Sequence, residues 1–328
     1  RRMKARKTGP FMLTTLPPNP VTGKNNVRIA DVYSVEDIVR LYREQQNVDV
    51  ERYFGHGPTV YLLECPDIGY RFYYPFETAG GAEFYQDLDR AALARGASYD
   101  REISEDHRFA LTQVAPGETV LEIGCNTGAF LEKVIEITKN AVGLDFNPSA
   151  VEKARSKGVT VFNEAIEEHS NKRAGEYDIV CAFQVFEHLA RIGPMFSAIL
   201  KVLKPGGRLI MSVPNNEPFF QRFNKYDTLN MPPHHAGLWN LPAFEKLAGE
   251  FGMSLIQHEY HGAQGLLADA YLRSKLMADV RSLPTNHSIS DKIKMLAAAM
   301  IALPMSSFDF VFRGVRNYAN LSVVFQKR

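Results

Sequence analysis

Residues 120–130 read Val120-Leu121-Glu122-Ile123-Gly124-Cys125-Asn126-Thr127-Gly128-Ala129-Phe130. Three of the first four are apolar, as in a buried strand, and a helical pattern begins near Gly128 after a turn with two glycines. Glycine allows a backbone to approach a ligand closely, and open α/β sheets bind ligands at the carboxyl ends of their strands. This stretch therefore predicts a strand, a ligand-binding turn and a helix in succession.

The next predicted strand, residues 141–144, is followed by an acid, Asp145. A carboxylate at this position can accept hydrogen bonds from ribose hydroxyls. The dinucleotide pattern Gly-x-Gly-x-x-Gly is not met, because Asn126 and Ala129 stand where the second and third glycines belong. No Gly-Lys-Ser/Thr follows the turn, which excludes a phosphate-binding P-loop. A ribose acid without a phosphate cradle favours an adenosine ligand that lacks phosphates.

Outward from this turn, apolar strands alternate with helical stretches. The strands are predicted at residues 119–123, 141–144, 159–162, 179–183, 208–213, 253–260 and 321–325. Helices are predicted from Gly128, from Pro148 and over residues 192–203. This alternation predicts an α/β fold with a doubly wound, mostly parallel, seven-stranded sheet covered by helices on both faces.

Five segments in order, with an acid between the first and the second, resemble the motifs of the class I S-adenosylmethionine-dependent methyltransferases. Glu122-x-Gly124-x-Asn126-x-Gly128 resembles their first motif, and Asp145 resembles their ribose-binding acid. The later segments that carry the resemblance are Asn163-Glu164-Ala165-Ile166, Tyr177-Asp178-Ile179-Val180, Gln184-Val185-Phe186-Glu187-His188 and Leu203-Lys204-Pro205-Gly206-Gly207. The third of these four is typical of the subgroup that includes ubiquinone-biosynthesis methyltransferases. The resemblance covers about residues 100 to 262 and a last strand near 319 to 327.

The resemblance implies a Rossmann-like methyltransferase fold, S-adenosylmethionine as cofactor and methyl transfer as the activity. It also implies a set of cofactor-binding residues, with Glu164 placed where an acid meets the adenine amine. The set is Glu122, Gly124, Cys125, Asn126, Gly128, Asp145, Phe146, Glu164, Ala165, Gln184 and Val185. Taken singly, a glycine turn is often a packing feature and an acid after a strand is often a helix cap. The ordered set favours the cofactor interpretation.

Histidines are the candidate catalytic residues, because transfer of a methyl group to a hydroxyl near neutral pH benefits from a positioned base. His188 follows the predicted strand 179–183, and His234 and His235 follow the strand 208–213, on the side where the resemblance places the acceptor. For His188, a capping or cofactor-pocket role is the alternative; for the pair, it is acceptor binding. Two prolines restrict the loop that carries the pair, so an ordered loop is expected.

The domain organisation predicted from the sequence has three parts. Residues 1–27 form a flexible leader, and residues 28–97 form an accessory unit with a helix capped by Ser34 and an aromatic hairpin. Residues 98–328 form the methyltransferase domain, with a helical insertion at 263–318 before the last strand. The aromatic hairpin either lines an acceptor pocket or is simply packed core.

No metal site is predicted. The segment Cys65-Pro66-Asp67-Ile68-Gly69 resembles the cysteine knuckle that precedes some sugar C-methyltransferases. Its second cysteine is replaced by Ile68, however, and Cys125 and Cys181 lie at no metal-like spacing.

The composition limits the partners. The 328 residues carry 38 Lys and Arg against 37 Asp and Glu, which argues against nucleic acid as a partner. Three widely spaced cysteines favour a reducing cytoplasm, and the apolar run 295–303 is shorter than the roughly 20 residues of a transmembrane helix. The sequence thus predicts a cytoplasmic methyltransferase acting on a small-molecule or glycan acceptor, at a hydroxyl, with a homodimer possible. Sugar C-methylation and a non-catalytic cofactor-binding scaffold remain as alternatives.

Overall fold

The computed structural model of the protein describes residues 15–96, 103–216, 226–261 and 320–328. The strands are β1 (Arg28–Ser34), β2 (Thr59–Cys65), β3 (Tyr70–Tyr74), β4 (Val120–Ile123), β5 (Ala141–Leu144), β6 (Thr160–Phe162), β7 (Tyr177–Phe183), β8 (Leu203–Pro214), β9 (Gly237–Leu238), β10 (Met253–His261) and β11 (Asn320–Lys327). The α-helices are α1 (Val35–Gln46), α2 (Ala82–Ala94), α3 (Glu105–Leu111), α4 (Ala129–Ile137), α5 (Pro148–Ser156), α6 (Ile166–Lys172), α7 (Gly193–Val202) and α8 (Leu241–Glu250).

Seven strands form the larger sheet, in the order β10-β11-β8-β7-β4-β5-β6. The pairs among β4, β5, β6, β7 and β8 are parallel, and β11 is antiparallel to both β8 and β10. This confirms the predicted mostly parallel sheet. It also brings the carboxyl ends of β4, β5, β6 and β7 to one edge, where ligands bind in such sheets.

The sheet is covered on both faces, as the doubly wound prediction requires. Successive strand residues alternate between two apolar clusters, so that Leu121 and Ile123 pack into one and Val120 packs into the other. The first cluster includes side chains of α6, α7 and α8, and the second includes side chains of α3, α4 and α5. Cys181 is fully buried in the second cluster and acts there as a small apolar residue.

Helix starts near the sheet edge are fixed by local chemistry. Asn147 caps α5 through hydrogen bonds from the backbone amides of Ser149 and Ala150, with Pro148 in the first turn. Asn240 caps α8 in the same way. Ser34 precedes α1 as predicted, but the prediction that its side chain caps the helix is wrong, because that side chain makes no cap hydrogen bond. The helix begins directly where β1 ends. Buried residues of α1, including Ile38, Leu41 and Tyr42, hold that helix in place instead.

The smaller sheet has four antiparallel strands in the order β1-β2-β3-β9. The predicted hairpin is present as β2 and β3, but β1 has no counterpart in the sequence-based expectation. The fourth strand, β9, comes from a distant part of the chain and pairs with Arg71 and Phe72. Tyr70, Phe72 and Tyr73 are buried, so the aromatic run of the hairpin is mainly packed core. The accessory unit is therefore continuous with the rest of the molecule in both its sheet and its core.

Several predicted features fall partly or wholly outside the described residues. The insertion 263–318 lies outside them, and so do residues 1–14 of the predicted leader. Within the remainder of the leader, Asn19 and Val21 are buried, and Val21 packs into the first core cluster. Among the residues that the structure describes, no helix combines the length and apolar composition needed to cross a membrane.

Candidate active site

The turn after β4 is shaped by its two glycines. Gly124 and Gly128 have φ angles of 73° and 79°, in the left-handed region that favours glycine. A Cβ on Gly124 would lie 3.1 Å from Cγ2 of Val185, so the segment after β7 closes over this turn. A Cβ on Gly128 would lie 3.2 Å from the Cβ of Ala154, so this glycine lets α4 pack against α5. Of the two, Gly124 is the one whose backbone is exposed for approach by a ligand.

Asp145 connects this turn to the loop after β5. Its Oδ2 accepts a hydrogen bond from the backbone amide of Asn126 at 2.8 Å, and its Oδ1 accepts one from Asn147 at 2.8 Å. Each carboxylate oxygen has a second lone pair, so ribose hydroxyls can still donate to it. The next residue, Phe146, is 73% exposed, the highest value among the large apolar side chains of the described residues. The Phe146 ring is thus exposed directly after the carboxylate of Asp145.

Two buried acceptor atoms on this turn have no hydrogen-bond partner within the described ranges. They are Oε2 of Glu122, a side chain that is 3% exposed, and Oδ1 of Asn126. Burial and the neighbouring charge of Asp145 raise the pKa of Glu122 well above its usual range. A ligand with hydrogen-bond donors and positive charge would satisfy both atoms, and S-adenosylmethionine, with an ammonium and a sulfonium, meets that requirement.

The remaining predicted cofactor residues of this edge have other partners as well. Glu164 accepts from His169 Nδ1 at 2.7 Å and from Lys172 Nζ at 2.5 Å, and these two hydrogen bonds lower its pKa. Ala165 lies at the start of α6. Cys125 is buried, and its burial raises the pKa of the thiol far above the usual range, so it is a packing residue rather than a nucleophile.

Gln184, one of the predicted cofactor residues, contacts a buried polar group that no sequence pattern indicated. Its backbone has a φ of 54°, and its Nε2 donates to Ser212 Oγ at 3.3 Å and to Asp106 Oδ2 at 3.4 Å. Asp106 is 3% exposed and also accepts from Ser212 Oγ at 3.2 Å and from Asn320 Nδ2 at 3.1 Å. Burial raises the pKa of Asp106, although the nearby His261 opposes that rise. Only an acid in the first turn of a capped helix marks Asp106 in the sequence.

The three histidines singled out in the sequence lie together. His188, His234 and His235 each offer a ring nitrogen within 4.8 Å of the others. The rings of His234 and His235 are stacked with centroids 4.7 Å apart, and that of His188 lies 4.8 and 5.1 Å from them. These three residues form what we term the histidine cluster. It lies beside the turn after β4, because the backbone amide of His188 donates to the carbonyl of Val185, whose side chain is close to Gly124.

Oxygen acceptors orient two of the rings. His188 Nδ1 is 2.8 Å from the carbonyl oxygen of His234, and His235 Nδ1 is 3.1 Å from Oδ1 of Asn230. Since these acceptors have no proton to give, the neutral ring donates through Nδ1 and carries its lone pair on Nε2. Asn230 is itself fixed by donating through Nδ2 to Asn216 Oδ1 at 2.9 Å. Each ring thus has one defined tautomer when it is neutral.

The accessory unit holds the loop that carries His234 and His235. Tyr42 Oη lies 2.6 Å from the carbonyl oxygen of Thr228 and accepts from the backbone amide of His234 at 3.3 Å. Hydroxyls of Tyr73 and Tyr85 donate to loop carbonyls at 3.0 Å in both cases. The aromatic residues of the amino-terminal part therefore do more than fill a core, since their hydroxyl groups position the loop. Nothing in the sequence pairs these tyrosines with residues 149 to 192 positions away.

Glu187 lies beside the cluster, and its Oε1 is 4.0 Å from Nε2 of His188. Its side chain is 1% exposed, and neither carboxylate oxygen has a hydrogen-bond partner among the described residues. Burial, with a smaller contribution from the charge of Asp106, raises the pKa of Glu187 to about 8. The sequence placed this residue inside a motif but gave it no role.

Comparison with known proteins adds a family match. Residues 95–258, half of the chain, match the model of a family described as a methyltransferase domain. A ubiquinone biosynthesis O-methyltransferase of Erwinia tasmaniensis is 31% identical over 105 residues, which cover 30% of this chain and 43% of that protein. The protein of that name from Escherichia coli is 34% identical over 105 residues, 30% of this chain and 44% of its own length.

The chain thus spans less than half the length of these curated relatives. Among solved structures, a SAM dependent methyltransferase from Archaeoglobus fulgidus aligns over 67% of this chain and 90% of its own. The sequence identity in that alignment is 16%, and the TM-score is 0.48.

Proposed function

The chain belongs to the S-adenosylmethionine-dependent methyltransferases, and from this premise we propose that it methylates a hydroxyl group of a small molecule or glycan. The observation that carries the proposal is the position of the histidine cluster. His188 lies one helical turn beyond Val185, which is close to Gly124 in the turn after β4 (residues 124–128), here termed the cofactor turn. Hydroxyls are weak nucleophiles near neutral pH, and a base within reach is what such an acceptor needs.

The cofactor is S-adenosylmethionine, which supplies an electrophilic methyl group on a sulfonium. We propose that Gly124, Asn126 and Asp145 hold its adenosine part, with Phe146 covering the base. The backbone of Gly124 gives close approach, and the Asp145 carboxylate offers lone pairs to ribose hydroxyls. The buried carboxyl of Glu122 favours a positive charge nearby, since no cation of the described residues pairs with it. The other predicted cofactor residues would line the rest of the cofactor site.

Within the cluster, His235 is the proposed proton acceptor. Its Nδ1 is directed at Asn230 Oδ1, which leaves Nε2 as the basic atom of the neutral ring. His235 is 5% exposed, so its ring is shielded from water and held by the fixed amide of Asn230. His188 and His234 would orient the acceptor oxygen beside it. The names of the curated relatives specify O-methylation in ubiquinone biosynthesis, which supports oxygen as the acceptor atom here.

The proposal assigns the accessory unit to acceptor positioning. Its tyrosine hydroxyls fix the backbone on both sides of His234, and its hairpin contributes the strand that pairs with β9. A two-part organisation follows, in which the larger sheet carries the cofactor and the smaller sheet holds the acceptor loop.

The experiment is methyl transfer from labelled S-adenosylmethionine into a panel of phenols, catechols, sugars and extract fractions, followed by mass spectrometry of each labelled product. Label on a hydroxyl oxygen is the expected result. Label on a ring carbon of a sugar would replace the proposal with C-methylation. A protein that binds the cofactor and labels no acceptor would contradict the proposal in favour of a scaffold role.

A further inference from the structure

We propose that the histidine cluster and Glu187 together bind one divalent transition-metal ion. The site takes three imidazole nitrogens and one carboxylate, from His188, His234, His235 and Glu187. A donor set of this kind suits Zn²⁺, Fe²⁺, Co²⁺ or Mn²⁺, whereas Mg²⁺ and Ca²⁺ prefer oxygen ligands alone. The role of the ion in catalysis rests on the proposed function, but its binding does not.

The donor nitrogens of the three histidines are grouped closely enough for ring rotations to bring them onto one ion. One ring nitrogen from each histidine lies within 4.8 Å of the other two. Two nitrogens bound to one ion at roughly 2.0–2.1 Å with tetrahedral angles are about 3.3–3.4 Å apart. The widest pair therefore has to close by roughly 1.4 Å, which rotations of the imidazole rings about their side-chain bonds supply.

The surroundings of two rings match the requirement for metal ligands. A ligating histidine usually donates its other ring N–H to a carbonyl or carboxylate, which fixes the tautomer and the ring direction. His188 Nδ1 has the carbonyl oxygen of His234 at 2.8 Å, and His235 Nδ1 has Asn230 Oδ1 at 3.1 Å. In each ring the opposite nitrogen, Nε2, then carries the lone pair. The pre-set direction removes part of the ordering cost of binding an ion.

Glu187 provides the independent observation. A buried carboxylate is normally paired with a cation, hydrogen-bonded or coordinated to a metal ion. Its two oxygens have no hydrogen-bond partner in the described parts of the chain, and the side chain is 1% exposed. Its Oε1 is 4.0 Å from Nε2 of His188, roughly 0.6 Å more than the separation of two ligands on one tetrahedral ion, so a small side-chain movement brings both onto one ion. A cation among these four side chains would satisfy the carboxylate.

An ion here would act on the acceptor oxygen. A coordinated hydroxyl has a lowered pKa, so its O–H bond breaks and the proton passes to the solvent. The acceptor oxygen then forms its bond to the methyl carbon as the sulfonium S–C bond breaks, and no electron acceptor is required. With the ion in place, His235 is a ligand, and the solvent takes the proton that the imidazole takes in the metal-free reaction.

The test is Co²⁺ binding by the full chain after dialysis against a chelator. Isothermal titration calorimetry gives the stoichiometry, and visible absorption reports nitrogen ligation of the ion. We expect one ion per chain, displaced by Zn²⁺. The substitutions His188→Gln and His235→Ala should each weaken binding by about 100-fold or more, and Asn230→Ala by about 10- to 100-fold, because it orients a ligand.

The matched control is His258→Ala, which removes an exposed histidine of β10 and should leave Co²⁺ affinity unchanged. Circular dichroism and urea unfolding of each variant establish that it is folded; if His235→Ala is not, His188→Gln decides alone. A wild-type protein that shows no Co²⁺ absorption, or binding that survives His188→Gln, overturns the proposal.

The two proposals fail in different ways. Metal binding is read without any acceptor, so a chain that binds Co²⁺ and methylates nothing overturns the proposed function and leaves the ion site supported. A chain that methylates its acceptor equally well after chelation, and binds no Co²⁺, overturns the ion site and leaves the function supported.

Discussion

The cofactor turn and the histidine cluster are neighbours built in opposite ways. The turn after β4 is made by backbone, with positive φ angles at Gly124, Asn126 and Gly128 within five consecutive residues. The cluster is made by side chains, and its loop is held by hydroxyl groups from Tyr42, almost two hundred residues earlier. One site is encoded locally, whereas the other depends on contacts between distant parts of the chain.

Because of this difference, we expect substitutions in the two sites to affect different quantities. A backbone turn is sensitive to any side chain that its φ angles or its contacts forbid, and the damage falls on ligand affinity. A side-chain cluster is sensitive to loss of one functional group, and the damage falls on the chemical step. Substitutions in the turn should therefore weaken cofactor binding and spare kcat, whereas substitutions in the histidine cluster should lower kcat and spare cofactor binding.

The largest expected effect is that of His235→Ala on turnover. Removal of a positioned acid–base group, or of a metal ligand in its place, should lower kcat by about 10²- to 10⁴-fold. Affinity for S-adenosylmethionine should change by less than about threefold, because Nδ1 of His235 is directed at Asn230, which is not one of the predicted cofactor residues. Steady-state kinetics and calorimetry measure the two quantities, with His258→Ala as control. An unchanged kcat would remove His235 from the reaction.

The reverse signature is expected for Gly124→Ala. The new Cβ would lie 3.1 Å from Val185 Cγ2 at a φ of 73°, so the turn must shift, and affinity for S-adenosylmethionine should fall by about 10- to 100-fold. Gly117→Ala is the matched control, since Gly117 has a φ of 89° but no atom within 4 Å of the position that a Cβ would take. Both variants should lose about 1–2 kcal/mol of stability, whereas only Gly124→Ala should weaken the cofactor. Equal calorimetric affinities would contradict this.

The same contrast explains how far the sequence could be interpreted. The larger sheet was predictable because β4, β5 and β7 are short apolar runs, each ending in glycine or polar residues. The start of β8 was less visible, since its first residues lie before the glycine pair Gly206-Gly207 and join the sheet only by pairing Leu203 with Tyr177. Local pattern therefore located the strands better than it located their ends.

The smaller sheet could be predicted only in its hairpin. The two residues of β9, Gly237 and Leu238, carry no alternating pattern and become a strand because Phe72 and Arg71 lie opposite. Each histidine of the cluster could be singled out by residue type and position along the fold. Their convergence, and the burial of Glu187 beside them, depend on Tyr42, Tyr85 and other distant contacts that no local pattern contains.

Tyr42→Phe removes the hydroxyl by which the accessory unit holds the loop of His234. The hydroxyl lies 2.6 Å from the Thr228 carbonyl and 3.0 Å from that of Met231, and its loss removes these buried hydrogen bonds, although backbone amides still donate to both carbonyls. Stability should fall by about 0.5–1.5 kcal/mol, and kcat should fall with it because the loop of His234 loosens. Urea unfolding and kinetics measure both.

Tyr53→Phe is the control for that substitution, because its hydroxyl bonds to Asp87 in a partly exposed position and touches no part of the loop. Its cost should stay within about 0.5 kcal/mol, with kcat unchanged. If Tyr42→Phe lowered stability and left kcat intact, the accessory unit would be a structural support without influence on the cluster.

The smallest expected effect tests the buried acid of the cofactor turn through its pH dependence. Burial and the charge of Asp145 raise the pKa of Glu122, so the unfolded chain loses this proton at lower pH than the folded chain does. The stability of the folded state therefore falls as pH rises from about 4.5 through the folded pKa. Glu122→Gln removes that titration, so the variant should gain about 1–2 kcal/mol relative to wild type between pH 4 and pH 7. Affinity for S-adenosylmethionine should fall in the same variant, because the acceptor for its positive charge is gone. The control is Glu167→Gln, on the exposed side of α6, which should show neither change. If the difference in free energy of unfolding between Glu122→Gln and wild type did not vary across that pH range, Glu122 would be charged in the folded protein.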